Sequence, residues 1–350
     1  MTSERSGQLL KIPAQGATPS FYWKTALCWS ALPLLSLVVF LVCAPGIALA
    51  KADFPVDDSF NIRAAYEKER KYRPYISIAR QEPAEGVSVE RNRVYRQIDD
   101  RALRLDLFRP GSGTSSPAVL LVHGGGWRSG NKTLQEPMAT YLANQGFVTA
   151  TVEYRLSMEA KYPAGVQDIK SALCWMHRNA EELGIDRQRI AILGASAGAQ
   201  LATLVGVTPG LSVYSDGSDR ECETIAAIVN IDGVVSFTTP MALKHENAPH
   251  KNPSAAGYWF GGTYEEVPDL WREASPLEYA GAGSPPTLFV NSSNPRFHAG
   301  RALYREQLRA AGVVTEVKTF PDTPHPFWLF DPWFEPAAEK VSDFLSKQLQ

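Results

Sequence analysis

The chain has 350 residues, 44% of them hydrophobic and 21% charged, and a formal net charge of −2. That balance describes a globular protein with one large core, and a single domain of about 270–290 residues is the natural division of its folded part. A near-neutral chain has no bulk field to draw nucleic acid or anionic lipid, and the absence of any basic stripe argues against a polynucleotide partner.

The amino-terminal end differs from the rest. Thr25 to Ala50 carries no charge, and Leu27 to Val42 within it is rich in Leu, Val and Trp; Arg5, Lys11 and Lys24 precede it and Ala48-Leu49-Ala50 closes it. A positive flank, an apolar region and a small-residue exit describe an export signal over residues 1–50. The alternative is an uncleaved membrane anchor through residues 25–50, long enough to cross a bilayer, with Pro33 and Pro45 counting against it. Either reading places the folded part outside the cytoplasm, periplasmic or secreted. Residues 51–86, charged and broken by Pro55, Pro74 and Pro83, read as an extension wrapping the domain of residues 87–350.

That domain opens with two alternating runs, Val87 to Ile98 and Ala102 to Phe108, expected as an antiparallel pair at a sheet edge. Strands and helices then alternate, which implies right-handed crossovers and a mostly parallel sheet. Strands are predicted at Ala118 to Val122, Phe147 to Tyr154, Ile190 to Leu193, Ile225 to Ile231, Thr287 to Asn291 and Val313 to Phe320. Helices are predicted at Thr133 to Gln145, as one long element at Gly165 to Leu183, near Ala299 to Ala311, and at Ala337 to Leu349. Thr238 to Pro276 reads as a long irregular excursion. Of four cysteines, Cys28 and Cys43 fall in the leader. Cys174 and Cys222 are expected as separate thiols, Cys174 packed on a helix face, although an oxidising compartment permits a disulfide between them.

Two motifs carry chemistry. Gly194-Ala195-Ser196-Ala197-Gly198 stands between an apolar strand and a helix-forming run. A serine pinned there by two glycines is a nucleophile elbow, its turn too tight for a side chain at either glycine. Earlier, a buried strand ends in His123-Gly124-Gly125-Gly126-Trp127, and consecutive glycines there leave backbone N–H groups to face a ligand oxyanion. The serine needs a base. Of six histidines only His325 follows the last strand; His298, ahead of a helix, is the rival, and His123 belongs to the glycine segment. An acid commonly follows the seventh strand, yet Asn291 through Arg305 contains no Asp or Glu. Asp232, ending the preceding strand, is therefore the first candidate; Asp322 is the second, and a dyad without an acid is the third. Asp232-Gly233 equally reads as an ordinary turn.

These residues, with Leu105 to Pro110, Glu153-Tyr154-Arg155-Leu156, Tyr162-Pro163-Ala164 and Glu273-Ala274-Ser275-Pro276, resemble the α/β-hydrolases of the carbohydrate-esterase branch, related to bacterial feruloyl and acetyl esterases. The resemblance implies an α/β-hydrolase fold, a mostly parallel eight-stranded sheet with helices on both faces. It implies Ser196 as nucleophile, His325 as base, and the N–H groups of Gly125, Gly126 and Ala197 as the oxyanion hole. The departure from it is at Asn291 to His298, where relatives carry Gly-x-x-Asp, and this favours Asp232. The stretch Asn291 to Arg301, with Pro324 to Trp328, is similar to a subgroup associated with esterases of pectin and other plant polysaccharides. The expectation is an exported serine esterase removing acetyl or similar small acyl groups from plant polysaccharides or oligosaccharides, with no metal or organic cofactor. A general short-chain esterase or lipase, or a non-catalytic binding protein on the same scaffold, are the alternatives. Aromatics of the excursion (Tyr258, Trp259, Phe260, Tyr264, Trp271) and of the tail (Phe327, Trp328, Trp333, Phe334) are candidates for sugar contact, or for plain core.

Overall fold

Uncharged runs of Val, Ile, Leu and Ala tolerate burial on both faces, and such runs form the middle of the sheet. The computed structural model describes residues 55, 57–111, 115–215, 220–251 and 253–350, so the expected leader or anchor at residues 1–50 lies outside the described residues. The described residues fall in one unit, Lys51–Gln350. In chain order the strands are β1 (Ser77–Ile78), β2 (Ser88–Ile98), β3 (Arg101–Arg109), β4 (Ser116–Val122), β5 (Val148–Val152), β6 (Ile185–Ala195), β7 (Ala227–Ile231), β8 (Thr287–Asn291), β9 (Thr315–Thr319) and β10 (Phe330–Asp331). β2 to β9 form an eight-stranded sheet in the order β2-β3-β5-β4-β6-β7-β8-β9. β2 and β3 pair antiparallel at one edge, β3 runs antiparallel to β5, and every later pairing is parallel.

The helices are α1 (Ile62–Glu69), α2 (Glu136–Asn144), α3 (Ala164–Arg178), α4 (Ala180–Leu183), α5 (Ala197–Val207), α6 (Pro240–Glu246), α7 (Ala255–Phe260), α8 (Pro268–Glu273), α9 (Arg301–Ala310) and α10 (Phe334–Gln348). They cover both faces of the sheet. Along β4, Ala118, Leu120 and Val122 enter one apolar layer and Val119 and Leu121 the other, the period-2 alternation of a central strand. None of the helices among the described residues is long and apolar enough to cross a membrane.

Three expectations need correction. The long helix at Gly165 to Leu183 is two, because Asn179 leaves the helical region at φ −97° and ψ 16°, its side-chain amide and its N–H both donating to the Trp175 carbonyl. The excursion from Thr238 to Pro276 is not structureless: it holds α6, α7 and α8, whose short apolar faces show no long period. Of the two readings open for the aromatics, Trp259, Phe260, Trp271, Phe327 and Phe334 take the plain-core one. Cys174 and Cys222 form a disulfide, linking α3 to the segment ahead of β7; the two lie 48 residues apart, so spacing alone did not reveal their proximity. The extension contributes α1 and also β1, which pairs with β10 near the carboxyl end.

Candidate active site

The parallel register of β6, β7 and β8 sets the site. Ala195 pairs with Ile231, and Ile231 with Val290, so the residues leaving these strands emerge side by side at the carboxyl edge. The Ser196 N–H donates to the Ile231 carbonyl at 2.8 Å, and the Asp232 N–H to the Val290 carbonyl at 2.9 Å. Ser196 and Asp232 both hold positive φ, at 54° and 53°, which costs a non-glycine residue about 1–3 kcal/mol and persists only where surrounding structure imposes it. The imposition at Ser196 is visible. A Cβ on Gly194 would lie 2.0 Å from the Gly198 carbonyl oxygen, and one on Gly198 would lie 2.3 Å from the Val122 oxygen. The expected steric reason for both glycines is therefore what the packing contains.

Three side chains meet in line. His325 Nε2 lies 2.8 Å from Ser196 Oγ, and His325 Nδ1 lies 2.9 Å from Asp232 Oδ2. Asp232 is fully buried, and its other oxygen accepts from the Ser292 N–H at 2.8 Å and the Asn291 amide at 3.2 Å. Arg301 in turn donates to the side-chain Oδ1 of Asn291 at 2.6 Å, fixing which way that amide faces. The strand that lacks an acid thus supplies donors to the acid of its neighbour. Asp322, the second candidate, is exposed on the surface, and its backbone carbonyl oxygen accepts from Arg73 at 3.4 Å. His298, the rival base, contacts the Ser292 carbonyl at 2.9 Å and stands 4.0 Å from Asp232 Oδ1, behind the acid. Burial pushes the His325 imidazole below its ordinary value, with the Asp232 carboxylate pulling the other way. Phe297 stacks on the His325 ring, centroids 3.3 Å apart, and Trp328 meets it edge-on.

The glycine segment is aimed by its carbonyls. In a trans peptide the C=O and the next N–H point oppositely, so fixing one fixes the other. His123 Nδ1 lies 2.8 Å from the Gly124 carbonyl, orienting the Gly125 N–H; the Ser129 hydroxyl and N–H hold the Gly125 carbonyl at 2.7 and 3.0 Å, orienting the Gly126 N–H. His123 is buried and pushed down to about 4, so at neutral pH it is an uncharged ring able to donate to that carbonyl. Trp127, at φ 60°, donates its indole N–H to Gln200 on α5 at 2.9 Å and stacks on Trp259 at 5.2 Å. Among the described residues no hydrogen bond occupies the N–H groups of Gly125, Gly126 or Ala197. Ala197 opens α5, whose amino end adds partial positive charge at the same place.

Space divides at Ser196. A cleft of about 350 Å³ lies on the His325 side, lined among others by Phe60, Gly125, Arg128, Phe297 and Trp328. A smaller hollow of about 60 Å³ touches Ser196, Ala197, Asp232 and Val234 but not His325, and is walled by Glu246, Ala255 and Arg296. Sequence reasoning missed Phe60, Arg128, Glu246, Arg296 and Phe297. Phe60 lies in the extension and Glu246 in the excursion, where no pattern announces proximity to the serine; Arg296 and Phe297 stand in the stretch flagged only for its missing acid. Among the described residues no group of three or more His, Cys, Asp or Glu is arranged to hold a metal.

The BD-FAE family profile matches residues 105–296. The AB hydrolase superfamily protein C1039.03 of Schizosaccharomyces pombe is 30% identical over 236 residues, covering 64% of this chain and 68% of that protein. Esterase LipC of Mycobacterium tuberculosis is 28% identical over 202 residues, 56% of this chain and 49% of LipC, so the chain spans about half the length of that relative. A truncated carbohydrate esterase from gut microbiota superposes with a TM-score of 0.66 at 22% identity, covering 77% of this chain and 99% of that one. A thermophilic esterase of Thermogutta terrifontis follows at a TM-score of 0.61 and 24% identity, covering 76% and 95%. With the profile spanning more than half of its residues and the superfamily relative matched over two thirds of its length, the chain belongs to the BD-FAE family and has the α/β-hydrolase fold.

Proposed function

We propose that the chain is a serine carboxylic-ester hydrolase that removes acetyl or similarly small acyl groups from a carbohydrate alcohol, as an exported protein. The observation that carries the hydrolase reading is the unbroken line Ser196 Oγ, His325, Asp232, with contacts of 2.8 and 2.9 Å, beside three N–H groups that no partner among the described residues occupies. His325 accepts the Ser196 proton as Oγ attacks the ester carbonyl. Asp232 holds the Nδ1–H tautomer and offsets the charge of the imidazolium that forms. The N–H groups of Gly125, Gly126 and Ala197 stabilise the oxyanion. His325 then protonates the departing alcohol, and a water activated by the same ring releases the acid from Ser196.

The acyl assignment follows from which space His325 reaches. The leaving alcohol must stand where Nε2 can protonate it, so it occupies the 350 Å³ cleft; the acyl group, bonded to Ser196 and turned from His325, occupies the 60 Å³ hollow. That hollow holds about two water volumes, which favours acetyl. The larger cleft, with Trp328 and Phe60 on its walls, suits a sugar-sized alcohol. Export is supported by the apolar stretch from Thr25 to Ala50 and by the Cys174–Cys222 disulfide, which suits an oxidising compartment. The binding-protein alternative rested on a missing acid, and Asp232 removes that support.

The test is acetate released from acetylated xylan and acetylated pectin by the wild-type protein and by Ser196→Ala. Release by the wild type alone supports a polysaccharide deacetylase. No release, with hydrolysis of small aryl acetates intact, keeps the serine chemistry and moves the substrate to small esters.

A further inference from the structure

We infer that the ion pair between Glu246 and Arg296 is the specificity-determining end wall of the acyl hollow and sets the longest acyl chain accepted; the inference rests on the hydrolase reading above. Arg296 belongs to the turn that follows β8, and Glu246 ends α6 in the excursion, so the pair bridges two segments at the hollow; Arg296 also borders the larger cleft, whereas Glu246 lines only the hollow of these two spaces. Arg296 Nε and Nη2 reach the two Glu246 oxygens at 2.8 and 3.2 Å, a two-point contact that fixes the guanidinium plane. Glu246 is 3% exposed.

Glu246 is buried and Arg296 half-buried, and such a pair is a poor stabiliser, because desolvation of the carboxylate consumes much of the attraction. Its geometric definition is what it contributes here. The wall is tied in further: the Ser254 hydroxyl donates to the Glu246 carbonyl and accepts from the Gly257 N–H, capping α7, whose first residue Ala255 lines the hollow. Trp127 and Val234 close other sides with rigid hydrocarbon. Long acyl chains therefore meet a charged barrier that gives way only if both partners are shortened.

The test is kcat/KM on 4-nitrophenyl acetate, propionate, butyrate and hexanoate. The hexanoate-to-acetate ratio within one preparation does not depend on how much of that preparation is folded. The wild type is expected to fall by about tenfold or more between propionate and hexanoate, the scale of one or more misfitting methylenes. In E246A/R296A that ratio is expected to rise by about tenfold or more. Changing both partners avoids leaving an unpaired buried charge; E246Q/R296L, a milder pair, is expected to move the ratio in the same direction, and either variant that circular dichroism shows folded reads the outcome. A folded double variant with the wild-type ratio overturns the wall. A wild type inert on every ester, or one that prefers hexanoate, overturns the hydrolase or small-acyl reading beneath it and the wall with it.

Discussion

At the residue scale the account turns on Asp232. Its candidacy was legible because strand order puts Ile231-Asp232 at the same edge as Ser196, and because the next strand end offers only Asn291 and Ser292. What the sequence did not carry is that these two would bond to Asp232, since a side-chain amide and a backbone N–H announce no partner. Asp232→Asn is expected to lower kcat on 4-nitrophenyl acetate by roughly 10³–10⁴-fold, because the amide favours the wrong imidazole tautomer. Asp322→Asn is expected to leave kcat within about twofold, the ordinary consequence of an exposed substitution. The pH profile tests the base. His325 must be neutral to accept the Ser196 proton, and burial lowers its pKa, so kcat/KM is expected to rise with pH through a midpoint below the ordinary imidazole value of 6.5 and then level off. An acid limb centred above 7 would contradict the burial of that ring.

At the element scale the strands were the most legible part. Their uncharged runs survive as β4, β7 and β8 with only the ends shifted, because burial on both faces forbids charge along the whole segment. Short helices such as α6 to α8, and the two-residue strands β1 and β10, were not legible: their few apolar residues serve tertiary contacts that leave no period. The elbow itself combines both cases, since the glycines named the turn and the structure supplied the collisions. Gly198→Ala would bring a methyl within 2.3 Å of the Val122 oxygen and 2.4 Å of the His123 oxygen. The expected result is a destabilisation of about 1–3 kcal/mol in urea, the cost of overpacking, together with lost esterase activity as the strand and helix part.

At the scale of the whole molecule, a pair of cysteines and a buried histidine each make a testable contribution to stability. The Cys174–Cys222 bond closes a separation of 48 residues, for which chain entropy predicts about 4 kcal/mol. Neither cysteine lines the spaces around Ser196, so C174A/C222A is expected to lose that stability in urea while kcat stays close to wild type. The sequence left the pairing open because it gives separation along the chain and not through space. His123 sets the acid limit. Its pKa falls from 6.5 to about 4 on folding, so between those values the unfolded chain binds a proton that the fold refuses. Stability is full above pH 6.5 and declines as pH falls toward 4, by on the order of 3 kcal/mol from this ring; His177, His298 and His325 are lowered too and act in the same direction. Urea midpoints at pH 7.5 and 4.5 measure the slope, which is expected to flatten in His123→Gln.

The central claim is that Ser196 is the nucleophile, and the most direct measurement is intact mass after exposure to a fluorophosphonate, with the adduct located by peptide mapping. The account predicts one adduct, on Ser196, in the wild type and none in Ser196→Ala. An adduct on another residue, or equal labelling of both proteins, would contradict it.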